Sequence, residues 1–159
     1  MRFVLGLVSL VGVGLFLWPF LGSGAAGDAP ALTVALTTAL GFVAIEVGTR
    51  RLDARGLALL AALCALSAGL RLVLVTGIGG FSPFFLLVLC AGYALGPSFG
   101  FLTGALALVV SAIVTGGIGP WLPYQLFAAG WVGLGAGLVA GGRHGPPGRR
   151  DIVVLAAYG

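Results

Sequence analysis

GYALGPSFGFLTG, residues 92–104, spans the junction of two apolar windows and decides how the chain folds. Gly96-Pro97-Ser98 interrupts any helix that runs into it, because proline has no amide hydrogen to donate and its ring restricts the residue before it. Read as a turn, it makes the short window 84–95 a helix coming down to it and the window 99–114 a helix leaving it. Gly92, Gly96, Gly100 and Gly104 then recur every fourth residue across the turn, and Gly133, Gly137 and Gly141 repeat the spacing later. Small residues at that interval give a helix a flat face on which another backbone can come close, which is how helices gain packing energy in lipid. Some recurrence is expected by chance in a chain with 29 glycines, so the faces are read first as packing surfaces.

Outward from this stretch the chain is almost entirely apolar. Hydrophobic residues make up 60% and charged residues 8%, with a mean hydropathy of +1.19; a soluble domain carries about 25% charged residues. Long apolar windows cover residues 3–21, 31–47, 56–75, 99–114 and 121–140, with the shorter 84–95 between them. The fold class expected is an all-α integral membrane protein, a polytopic helical bundle of about six full spans plus a partial seventh. Cys64 and Cys90 both fall inside apolar windows, where a thiol behaves as a small hydrophobe, so neither a disulfide nor a metal framework is implied. Met1-Arg2-Phe3, the apolar run behind it and the small residues 22–29 fit a signal peptide or a retained first helix. The run is longer than the ~7–15 residues of a signal core, which favours the retained helix.

All eight basic residues are arginine. Arg2, the cluster Arg50, Arg51 and Arg55, and the cluster Arg143, Arg149 and Arg150 alternate with connections 22–30, 76–81 and 115–120, which carry none. The excess of arginine in cytoplasmic loops then predicts a multi-pass protein of the cell membrane with a cytoplasmic N-terminus, the turn at Gly96 inside and residues 115–120 outside. The arrangement requires 84–95 to be a real, short crossing.

The stretch GGIGPWLPYQ, residues 116–125, faces outside on this topology. Its glycines and prolines end one helix and start the next, with Pro120 and Pro123 in or near the first turn, where a missing amide hydrogen costs little. Trp121 and Tyr124 fit an interfacial aromatic belt. Gln125 asks for more, because an amide at the start of a span needs a hydrogen-bond partner or water. Arg71 lies about 24 Å above Arg55 on a helical rise, at the same depth as Phe81, Ser82, Trp121, Tyr124 and Gln125. It can snorkel to lipid headgroups or line a cavity. In the second case these six residues form one outward-facing pocket with a cation, an amide and aromatic faces. Glu46 precedes Arg50 by four residues, a spacing that stabilises a helix locally. His144 has no ligand partners at metal spacing, and Asp28 and Asp53 read as solvated or lipid-facing charges.

The chain contains no Ser/His/Asp set, no cysteine–histidine cluster, no phosphate loop and no nucleotide fingerprint. It is read as not an enzyme, with no cofactor, no metal and no nucleic-acid partner. With Glu46 the lone intramembrane carboxylate, an ion pump is poorly supported.

From Arg51 onward the sequence resembles the substrate-binding S component of energy-coupling factor (ECF) transporters, prokaryotic importers of vitamins and micronutrients. Three pieces carry the resemblance: ALLAALCALSAGLRL at 58–72, GYALGPSFGFLTGAL at 92–106 within 84–115, and IGPWLPYQLFAAGWVGLGAGL at 118–138, which is similar to a GPW-x-P-x-Q segment of a subgroup associated with corrinoid uptake. The resemblance implies that Ala58, Ala61, Ala62, Ala65 and Gly69 dock on a transmembrane coupling subunit served by two ATPase subunits. It implies that Trp121, Tyr124 and Gln125 sit at the mouth of a vitamin-sized cavity, with cobalamin as the substrate the subgroup suggests. Two departures follow. Residues 1–50 add two transmembrane helices ahead of the S-component-like part at 51–159, and residues 151–159 rise only about 14 Å, too short to cross a core of about 30 Å. The family's fifth and sixth helices are therefore expected to be missing, and with them part of the cavity wall. Residues 151–159 would lie along the interface, fold back on the bundle or be completed by further chain. The competing expectation is a non-transporting membrane scaffold or assembly subunit whose aromatic cluster is only an interface belt.

Overall fold

The computed structural model describes residues 2–21, 29–48, 52–73, 83–119, 121–141 and 148–158. The helices are α1 (Arg2–Leu21), α2 (Ala29–Gly48), α3 (Ala54–Val73), α4 (Pro83–Leu95), α5 (Pro97–Thr115), α6 (Leu122–Ala140) and α7 (Arg149–Tyr158), and the described residues contain no strand.

Three of these helices are long and apolar enough to cross a membrane: Ala54–Leu72, Pro97–Thr115 and Leu122–Ala140. Phe3–Leu17 within α1 and Thr33–Glu46 within α2 are shorter apolar stretches, and so is Pro83–Leu95. The expected six full spans are thus reduced to three among the described residues. The clearest shortfall is α4, whose 13 residues rise about 20 Å against a hydrocarbon core of about 30 Å. Large apolar side chains cover the outside, among them Leu10, Leu40, Ile113, Leu138 and Val153. Such a surface is far beyond what a soluble monomer exposes and is the surface a bilayer solvates.

The break between α4 and α5 is a single residue. Gly96 has φ 99° and ψ 170°, a conformation open essentially to glycine alone, and Pro97 starts α5. Its N–H donates to Gly92 O at 3.0 Å while its carbonyl accepts from Gly100 N at 3.0 Å, so both helices are closed around it. At the other end of α5, Gly116 is left-handed at φ 67°, and Gly117 N donates to Ala112 O at 3.0 Å, which satisfies one of the carbonyls of the last turn. Gly141 ends α6 in the same way at φ 58°.

The glycine faces form the heart of the bundle. A Cβ on Gly92 or Gly100 would run into the Gly133 carbonyl, one on Gly104 into the Ala129 carbonyl, and one on Gly137 into the Pro97 backbone. Bare backbones of α4, α5 and α6 therefore touch, and no side chain larger than hydrogen fits between them. Two members of the expected repeats have another job: Gly96 and Gly141 carry the turn and the cap, and a Cβ on either would meet no neighbouring helix.

Around this centre α3 packs on α5 and α4, while α1 and α2 pack on each other and on α6. Rings carry the junction: Phe42 of α2 meets Phe101 of α5 edge-on at 5.9 Å, and Phe101 meets Phe127 of α6 at 6.1 Å. Phe127 lies against Gly12 of α1, where a Cβ would overlap the ring. The helix α7 folds back on α6, one of the fates open to it. The Tyr158 hydroxyl donates to Trp131 O at 2.7 Å, and the buried Asp151 carboxylate accepts from the Tyr93 hydroxyl at 2.9 Å and from Gly148 N at 3.2 Å. That last bond is the reach of a third-position carboxylate back to the residue ahead of the helix.

Candidate functional site

At the Gly116 end, α3, α5 and the start of α6 part around a cavity of about 110 Å³. Arg71 enters it from the last turn of α3, Leu108, Ser111 and Thr115 from α5, Trp121 from the N-cap position just ahead of α6 and Gln125 from α6. The α5–α6 connection positions the aromatic wall. Gly119 has no side chain, and a Cβ there would collide with the Trp121 indole, so the ring can fold back over the loop. Trp121 and Gln125 are four residues apart and share a helix face, and Gln125 N donates to Trp121 O at 3.1 Å.

The polar groups of this cavity are largely unengaged. The Arg71 guanidinium lies 5.9 Å from the centroid of the Phe84 ring, a cation–π contact, and pairs with no carboxylate among the described residues. Its position in the last turn also suits the negative end of the α3 dipole. Thr115 spends its hydroxyl hydrogen on Ser111 O at 2.7 Å. Ser111 is 1% exposed, lines the cavity, and its hydroxyl makes no hydrogen bond among the described residues; the Gln125 side chain makes none either. The result is a small concavity holding a fixed cation, a hydroxyl and an amide, beside one indole that is 54% exposed.

Of the six residues expected to form a pocket, Arg71, Trp121 and Gln125 come together. Tyr124 does not line the cavity. It stands about 100° from Gln125 around the helix and packs edge-on against Phe16 of α1 at 5.7 Å, joining the bundle's ring network. Phe81 and Ser82 lie outside the described residues. Ser111 and Thr115 were not singled out by sequence; their four-residue spacing on the α5 helix is the signal that places them together.

Of the expected docking residues, Ala58, Ala61, Ala62 and Ala65 are exposed along α3, and Gly69 is half-buried with open space where a side chain would be. Glu46 is buried, and Arg50, its expected pair, lies outside the described residues, as do Asp28 and His144. Among the described residues no group of His, Cys, Asp and Glu could hold a metal ion. No protein-family model matches the chain, and neither a curated protein nor a solved structure does.

Proposed function

We propose that the chain is a membrane-embedded substrate-binding subunit of an ECF-type importer. It captures a small solute at the outer face and passes it on with a transmembrane coupling subunit and two ATPase subunits. The observation that carries this reading is the convergence of Arg71 with Trp121 and Gln125, 50 or more residues later in the chain, around one cavity at the Gly116 end. An isolated arginine that only snorkelled to headgroups would need no such company. The open alanine face of α3 adds a surface on which a coupling helix could lie closely. The cavity is well below the ~300–1,000 Å³ of a site for a drug-sized ligand, so a corrinoid is not the solute this reading favours.

Co-purification tests it. The chain, tagged and expressed with the coupling and ATPase subunits of its own genome, should bring them down from membranes, and Ala62→Leu with Ala65→Leu should abolish the association while leaving the chain in the membrane. Recovery without those subunits, at the same yield with and without the leucines, would instead favour the scaffold reading.

A further inference from the structure

We propose that the cavity at the Gly116 end binds the head of a small oxyanion, a carboxylate or phosphate group. The inference rests on the reading of this cavity as a ligand site and narrows it to a chemical class.

The donors decide the class. Arg71 offers a planar fork of N–H groups, Ser111 an O–H and Gln125 an amide N–H₂, and none of the three is hydrogen-bonded among the described residues. All three line the same cavity, so a ligand or water that enters it can complete their hydrogen bonds. Thr115, which lines the same wall, has its hydrogen committed to Ser111 O and leaves only acceptor capacity, so the surplus of donors stands. Among the described residues no carboxylate lines the cavity. The helix dipoles do not set the sign, because α3 and α5 present their carbonyl ends at this level while α4 and α6 present their amide ends, and the four offset one another. The positive charge of Arg71 therefore sets the sign of the ligand, and guanidinium geometry favours an oxyanion that can take two parallel N–H bonds.

Size sets the remainder. At about 110 Å³ the space is smaller than the ~150 Å³ apolar cavity that holds one benzene. A carboxylate with one or two carbons, or a phosphate, fits; a larger molecule would place only its anionic head inside. The exposed Trp121 indole then meets whatever follows the head. Such a head can belong to a free solute or to a lipid.

Fluorine NMR of the whole chain carrying 5-fluorotryptophan, purified in an alkyl maltoside that contains no phosphate, reads the site directly. The Trp121 resonance is assigned with Trp121→Phe. Titration with sodium propionate or sodium phosphate, at ionic strength held constant with sodium chloride, should move that resonance saturably, whereas propionamide should not. Arg71→Gln should remove the response, Arg71→Lys should weaken it at least tenfold or so by losing the fork, and Ser111→Ala should weaken it about threefold to tenfold. Arg71→Lys and Ser111→Ala keep charge or volume, so the result stands if Arg71→Gln fails to fold. A saturable response to dihexanoylphosphatidylglycerol with none to propionate or phosphate supports the oxyanion site, assigns it to lipid and overturns solute capture. An equal response to propionamide overturns the oxyanion inference and leaves a neutral-ligand site standing. Silence of Trp121 to every probe overturns both.

Discussion

The two ends of the α4–α5–α6 bundle are built from the same helices and reach opposite results. At the Gly96 end the helices touch through bare backbone, with Gly92, Gly100 and Gly133 leaving no room for a methyl group. At the Gly116 end α5 and α6 turn residues with side chains toward each other and toward α3, and a cavity remains. In lipid there is no hydrophobic force to close such a gap, because the tails are as apolar as leucine. Closure has to come from fit, and fit is supplied at one end only. An arginine whose charge repels close apolar packing, a half-exposed indole and two hydroxyls keep the other end open.

The comparison breaks most readily at the glycines. Gly100→Leu should leave no folded protein in detergent, since a Cβ alone would meet backbone atoms that cannot move aside and the overpacking cost exceeds about 3 kcal/mol. Leu102→Ala, which empties a fully buried site, should still fold but lose about 2–5 kcal/mol, read as a lower midpoint in thermal unfolding. Equal yields and midpoints for the two would make the glycine spacing incidental. A middle-sized effect is expected at the latch that holds α7: Tyr93→Phe removes the hydroxyl bonded to the buried Asp151 carboxylate and should cost about 1.5–3 kcal/mol. Hydrogen exchange at residues 149–158 should rise in that variant while exchange in α5 stays unchanged. The smallest effects belong at the open end. Gly117→Ala, where a Cβ meets only the Thr115 hydroxyl, should change stability by no more than about 0.5 kcal/mol. Gly119→Ala should be nearly as mild in stability, yet it should shift the Trp121 signal because the new methyl displaces the indole.

How much of this was legible in the sequence depended on whether a residue's role is local. The Gly96-Pro97 break, the capped end of α5 and the close contact at Gly100 follow from what glycine and proline do to a backbone. Gly96 and Gly141 fit the four-residue repeat by position, but their positive φ angles set their role, and spacing carries no information about φ. Arg71 was legible because an arginine in an apolar helix is conspicuous. Ser111 and Thr115 were not, because a hydroxyl in a transmembrane helix can always return its hydrogen to the carbonyl one turn back, as Thr115 does. Tyr124 was assigned to the pocket by depth and by the resemblance, and its direction around α6 depended on where α1 would pack. The crossing count was overstated at residues 84–95, where the apolar run is real but its 13-residue helix is short.

Outward capture requires the cavity to open to the outside while the α7 latch faces the cytoplasm. In a Cys64→Ala, Cys90→Ala background, single cysteines at Gly117 and Gly148 place one thiol at each end of the bundle, and neither meets a neighbour that would exclude it. An impermeant maleimide added to intact cells should label Gly117→Cys fully and Gly148→Cys only after the membrane is opened. Labelling of Gly148→Cys from outside with protection of Gly117→Cys would turn the cavity toward the cytoplasm and contradict outward capture.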